Sequence, residues 1–268
     1  VIVLAYIALG LVAGFTGSLV GLGGGTLIVP GLTLLFGVPM KTAVACSMVA
    51  VVANSVAGST VHLRTGIVNI RLALALGTTT TLGALMGGLI AVQIDPRWQY
   101  GLFAVVALYM VYAMKPRTAS GTSPGESATT LRSEFYDPAL GQPVQYGVRH
   151  LPVGLVSTIL AGNVAALLGI GGGMVNVPIM SQILGVPIKA AVGTSILMNG
   201  LTGATAAIVY YGHNLIVPTL AIPVAAGAAV GAQVASRLVG VAKGSVLRMS
   251  FRVFMLLIAL EMGIRVFA

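Results

Sequence analysis

The sequence predicts an all-α integral membrane protein built from two inverted repeats of five membrane segments each, with a broken glycine-rich helical hairpin opening each repeat. Three observations carry this: long apolar runs without charge, a glycine and proline pattern that occurs twice, and basic residues gathered on one side of the predicted bundle.

The apolar runs come first. Hydrophobic residues make up 57% of the chain and charged residues 7%, where a soluble domain carries roughly a quarter charged residues. Residues 1–40 and 190–236 contain no Lys, Arg, Asp or Glu, and uncharged runs longer than about 18 residues read as membrane spans. A net charge of +9 would suit a nucleic-acid partner, but the basic residues are scattered at segment ends without interleaved aromatics, so membrane topology accounts for them. The lone Cys46 excludes an internal disulfide or a cysteine zinc site and reads as core. Residues 1–18 lack a basic leader and a polar mature sequence after a cleavage site, and read as a retained membrane helix.

The repeat appears on shifting the chain by 148 residues, which lays Gly14–Met48 on Gly162–Ile196; about 15 of these 35 positions are identical, against roughly one in ten for shared apolar composition. Gly23-Gly24-Gly25 falls on Gly171-Gly172-Gly173, Val29-Pro30 on Val177-Pro178, Gly37-Val38-Pro39 on Gly185-Val186-Pro187, Lys41 on Lys189 and Ser47 on Ser195. The chain therefore divides into a first transmembrane repeat over 1–114, a linker over 115–149 and a second repeat over 150–268. Breaks at Gly, Pro and charge place segments near 1–19, 22–36, 42–63, 72–93 and 98–114, then near 150–168, 171–184, 190–211, 215–238 and 247–266. Segments 22–36 and 171–184 are shorter than the roughly 20 residues of a full span, so each can turn back with its predecessor as a re-entrant hairpin. An odd number of segments per half sets the second repeat upside down relative to the first, the usual architecture of secondary transporters.

Loop charges orient the bundle. Loops 63–71, 115–149, 185–189 and 237–252 share one face and hold most of the basic residues, among them Arg64, Arg71, Lys115, Arg149 and Arg248; the opposite face receives Lys41, Arg97 and Arg265. The positive-inside rule makes the first face cytoplasmic and both termini extracytoplasmic, in a multi-pass protein of the cytoplasmic (inner) membrane. The linker reads as a plain polar connection, with a short hairpin over Glu134–Tyr146 as the alternative.

Consecutive glycines inside an apolar segment cost about 1 kcal/mol each relative to Ala in a helix and free backbone groups that lipid cannot solvate. Such a break survives where it is buried in protein or lines a cavity. The N–H groups opening the half-helix after Gly23, Gly24 and Gly25, and after Gly171, Gly172 and Gly173, then make an anion seat without a basic side chain. The blander reading is close helix packing, which is preferred for Gly83-xxx-Gly87 and Gly227-xxx-Gly231. Ser47, Asn54, Asn176, Ser195 and Asn199 supply neutral donors at similar depth, with interhelical hydrogen bonding as the competing role. His62, Arg64, Lys41 and Lys189 are candidates for coupling or anion attraction, against interfacial anchoring. Glu261 and Arg265 are spaced as an i,i+4 pair, and Trp98 and Tyr100 beside Arg97 as an interfacial belt.

No phosphate loop, dinucleotide fingerprint, zinc-protease motif or nucleophile elbow is present, so no enzyme, metal or cofactor is expected. The expected partners are a small anion and the lipid bilayer; a homodimer is left open. The doubled pattern of Gly14, Gly17, Gly21–Gly25, Val29-Pro30 and Gly37–Ser47, matched by Gly169–Gly173, Val177-Pro178 and Gly185–Ser195, resembles the sulfite exporter TauE/SafE family. One departure is Ala165, where the first copy has Gly17. The resemblance implies a permease exporting sulfite, a sulfonate or a sulfoacetate-like anion; it does not specify the coupling, for which proton-motive force is the default expectation. A passive anion channel and a permease for a non-sulfur anion are the alternatives.

Overall fold

A computed structural model describes residues 2–113, 131–137 and 141–238, with positions 256, 259–262 and 264 of the last segment. The expected segment 247–266, the loop preceding it, residues 114–130 and the Glu261–Arg265 pairing lie largely outside the described residues. The chain is mostly helical. The order is α1 (Ile2–Val20), α2 (Gly25–Pro30), α3 (Met40–Arg64), α4 (Ile70–Gln93), α5 (Pro96–Ala113), β1 (Arg132–Asp137), β2 (Gln142–Gly147), α6 (Leu151–Leu168), α7 (Gly173–Pro178), α8 (Ile188–Gly212) and α9 (Pro218–Leu238). Six of these, α1, α3, α4, α6, α8 and α9, are long and apolar enough to cross a membrane. Their outward side chains include Leu4, Leu82, Leu160, Ile208 and Ile222, each more than half exposed. An apolar exterior of this kind requires lipid as solvent.

The short helices explain themselves through proline. Pro30 and Pro178 lack the N–H that an α-helix would use at those positions, and the ladder rewinds into one π-helical stretch after each, Gly31–Leu35 and Ile179–Ile183. Both stretches end in the same way, with Val38 N–H bonded to Leu32 O at 3.0 Å and Val186 N–H to Met180 O at 2.9 Å. Repeat-related residues thus adopt one backbone geometry.

The halves are joined by glycine contacts, as the small-xxx-small spacing predicts. A Cβ on Gly14 of α1 would fall on the Ala228 carbonyl of α9, and one on Gly227 or Gly231 of α9 would fall on the Ile7 or Leu11 carbonyl of α1. The α4–α6 crossing repeats this, with Gly83 and Gly87 against Ile159 and Asn163, and Gly162 against Thr80. Where α1 and α9 oppose Gly10 and Gly227, α4 and α6 oppose Thr79 and Thr158, whose hydroxyls lie 2.7 Å apart. Each half lends its fourth helix to the first helix of the other. The two longest helices, α3 and α8, run antiparallel through the centre: Ser55 Oγ donates to Ile196 O, Gly203 packs on Val51 and Met48, and Gly193 faces His62.

The linker is more structured than its plain reading. Strands β1 and β2 pair antiparallel with Phe135 opposite Val144 and Tyr146 opposite Ser133. Phe135 and Tyr146, 6.3 Å apart between ring centroids, are buried on Leu72, Leu76, Leu184 and Val186. The Tyr146 side chain reaches the start of α4 near Asn69, whose Nδ2 has no hydrogen-bond partner. Asn69 in turn caps α4 by accepting the Leu72 N–H at 3.0 Å, and its own N–H donates to Thr194 Oγ1 of α8 at 3.1 Å. We call this end of the bundle the hairpin face.

Two measurements check the packing. Gly14→Val should destabilise the detergent-solubilised protein by about 1–3 kcal/mol through overpacking, seen as a lower unfolding temperature, whereas Gly212→Ala, with open space around its Cα, should leave it within about 0.5 kcal/mol. Burial pushes the Tyr146 hydroxyl above its ordinary pKa of 10.0. Because the docked hairpin holds the neutral form, docking is fully present below the free tyrosine pKa and weakens as pH rises through the raised value. Limited proteolysis of residues 131–147 should accelerate at alkaline pH, and Tyr146→Phe should remove that pH step.

Candidate functional site

The two glycine clusters meet head to head at the centre. Gly21, Gly23 and Gly24 have φ of 82°, 81° and 80°, and Gly169, Gly171 and Gly172 have 75°, 82° and 82°. These left-handed values cost an ordinary residue about 1–2 kcal/mol each, which is why glycine stands at all six. A Cβ on Gly25 would fall on the Gly169 carbonyl and one on Gly173 on the Gly21 carbonyl, so each loop is in backbone contact with the other. The loops then open into α2 and α7, with Gly24 and Gly172 as left-handed N-caps. The first N–H groups of any helix have no intrahelical acceptor.

Each loop is held by the opposite half. Ser47 Oγ of α3 donates to Gly169 O at 2.8 Å, and Ser195 Oγ of α8 donates to Gly21 O at 2.8 Å. Both serines also lie near a carbonyl of their own helix, Val44 O at 2.7 Å and Val192 O at 3.1 Å. Their hydroxyl protons are therefore engaged by main-chain oxygen.

The asparagines are different. Asn199 Nδ2 approaches Gly21 O at 3.4 Å and would lie 2.9 Å from a Cβ on Gly23. Its Oδ1, both amide atoms of Asn176, and Thr26 Oγ1 are buried without a hydrogen-bond partner. Asn176 Nδ2 and Asn199 Oδ1 flank Gly172, 3.2 and 3.6 Å from a Cβ built there. At the repeat-related positions stand Ile28 and Val51, and Val51 faces Gly171 as Asn199 faces Gly23. The two amides thus come from the second half, and the hydroxyl of Thr26 from the first. Buried amides cost free energy unless paired, and unpaired ones beside open main-chain N–H groups suit a ligand rich in oxygen.

The remaining expected residues are spread out. Asn54 of α3 accepts from Ser18 Oγ at 3.1 Å, and its Nδ2 is unpartnered. His62 lies in the last turn of α3, buried, with Nε2 unpartnered. Arg64 ends the same helix and is exposed. Lys41 Nζ donates to Val92 O at 2.7 Å, capping the end of α4, a favourable place for a cation. Lys189, half-buried, begins α8. Among the described residues no three His, Cys, Asp or Glu side chains gather as a metal site. Thr26, Ser18 and Ser236, all buried, were not singled out by the sequence. A single hydroxyl in an apolar segment is a signal only once its neighbours are known.

An apolar-skinned helical bundle with a neutral, polar, glycine-lined centre defines a multi-pass membrane protein. The family model described as Sulfite exporter TauE/SafE matches residues 6–262, and the chain belongs to that family of membrane transporters. Similar proteins include the probable membrane transporter protein YunE of Bacillus subtilis, 28% identical over 74% of this chain and 75% of its own length. A probable membrane transporter protein of Xylella fastidiosa is 29% identical over 81% and 77%. One from Haemophilus influenzae is 25% identical over 98% of both chains. These are names of transporters rather than enzymes. No solved structure matches.

The serine clamps yield a direct test. Ser47→Ala and Ser195→Ala should each cost about 1 kcal/mol of stability, and faster amide exchange should appear in the opposite loop, near Gly169 for the first and near Gly21 for the second. Exchange confined to the mutated helix would remove the clamp assignment.

Proposed function

We propose that the chain is a secondary transporter that exports a small organosulfur anion, such as sulfite, a sulfonate or a sulfoacetate-like compound, across the cytoplasmic membrane by alternating access. The carrying observation is the face-to-face pair of left-handed glycine loops with the unpaired amides of Asn176 and Asn199 beside them. The first N–H groups of α2 and α7 and these neutral amides replace the anion's hydration. A neutral seat releases an anion more readily than a cationic one, because no full opposite charge must be separated on exit. The family's description as a sulfite exporter supports the substrate class.

The two halves are read as inverted repeats of five segments, a reading supported by the antiparallel course of α3 and α8 and by the crosswise pairing of α1 with α9 and α4 with α6. Transport moves one repeat against the other around the loops. The hairpin face is read as cytoplasmic from its loop charges, with both termini on the other side. Lys189 and Arg64 on that face raise the local anion concentration, and proton-motive force drives export.

Purified protein in proteoliposomes should move sulfite or a sulfonate saturably and respond to an imposed proton gradient; conductance without saturation would establish a channel instead. Gly24→Val and Gly172→Val place a β-branched residue at φ of 80° and 82°, and should abolish uptake while the protein still inserts and purifies. Full activity in both variants would remove the glycine seat.

A further inference from the structure

We infer that the face of α3 carrying Asn54, Gly58 and His62 lines a water-filled half-pathway from the Gly21 loop to the hairpin face, and that its repeat-related counterpart on α8 is dry and sealed by Tyr210. The inference rests on the glycine loops being the anion site. It names how that site communicates with one side of the membrane.

Asn54, Gly58 and His62 are spaced one turn apart along α3, so they share one stripe. Ser18, three residues before Gly21, donates to Asn54 Oδ1 at 3.1 Å. A Cβ on Gly58 would lie 3.2 Å from both Ser236 Oγ of α9 and Ile196 Cγ2 of α8 and 3.6 Å from Ser18 Oγ of α1, so both hydroxyls converge on this glycine, with one methyl beside them. The stripe ends at His62, packed beside Gly193 near the hairpin face. Along it Asn54 Nδ2, Ser236 Oγ and His62 Nε2 have no protein partner, at exposures of 0%, 6% and 2%. Each such group costs about 1–3 kcal/mol if left bare, and water is the ordinary remedy where several lie together.

The homologous half provides the internal control. Shifting by 148 residues turns Ser18 into Ala166, Asn54 into Thr202, Gly58 into Ala206, Ser236 into Gly88 and His62 into Tyr210. Here the two polar side chains of the stripe are satisfied: Thr202 Oγ1 donates to Met198 O at 3.1 Å, and Tyr210 Oη donates to Ala166 O at 2.6 Å, tying α8 to α6, with Gln99 Oε1 of α5 the one unpartnered atom nearby among the described residues. One backbone plan therefore carries a wet lane on one side and a dry seal on the other. Among the described residues the lane holds hydroxyl, amide and imidazole groups and no carboxylate, a lining for a hydrated anion and unsuited to a metal cation.

Single cysteines in a Cys46→Ala background test this, since thiol labelling needs a water-exposed thiolate. Ser18→Cys and Ser236→Cys should react with a membrane-impermeant maleimide applied to the hairpin face at least about ten times faster than Ala166→Cys and Ala206→Cys applied from either face. Equal rates in the two sets would overturn the assignment. So would silence of both serine-site variants in the folded protein when their introduced thiols react fully after denaturation. If one serine variant fails to insert, the other reads the same volume. The readout is independent of transport. Asymmetric labelling with active Gly24→Val protein keeps the lane and removes the seat; symmetric labelling with inactive Gly24→Val protein does the reverse.

Discussion

Lipid offers no hydrogen bonds, so a main-chain carbonyl freed by a break in a membrane helix has to find its donor inside the protein. Gly21 and Gly169 present two such carbonyls, and each is met by a serine hydroxyl from the other half. That reciprocal dependence fixes much else. The long helices α3 and α8 must pass beside the opposite glycine loop, the residues facing each carbonyl must lack a Cβ, and Gly25 and Gly173 fill those places. The central junction of glycine loops is thus a by-product of how two interrupted helices satisfy one another.

Much of this was legible because it occurs twice. The run Gly23–Gly25 with Val29-Pro30 locates a loop and a half-helix from residue types alone, and its copy at Gly171–Gly173 rules out accident. The same holds for Gly83, Gly87, Gly227 and Gly231, whose spacing implies contact and which do make it. The partners of the polar residues were not legible. Ser47 and Ser195 read equally as anion ligands or as interhelical donors, and only the fold reveals a carbonyl within reach of each. Lys41 reads as an interfacial anchor; that its ammonium ends on Val92 depends on where α4 stops. The hairpin was the weaker reading of the linker, because six-residue strands carry little pattern and the surfaces that bury Phe135 and Tyr146, around Leu72 and Val186, come from distant parts of the chain.

Divergence between the halves is as informative as their likeness. Backbone geometry is held to within a few degrees at Gly24 and Gly172, while side chains at related positions have changed character, Ile28 against Asn176 and Val51 against Asn199. Duplication supplied a symmetric frame. The polar contacts within it belong to one half or the other, so the proposed seat lies off-centre rather than as a matched pair.

The hairpin breaks that symmetry outright. It rests on the start of α4 from one half and on Val186 and Ala190 from the other, and among the described residues the opposite face carries no equivalent. In the proposed transport cycle, sliding of the halves past one another must either carry this small sheet along or peel it away. If the halves exchange roles as proposed, a clasp on one end only adds to the side-chain differences already noted and gives the molecule a preferred resting posture.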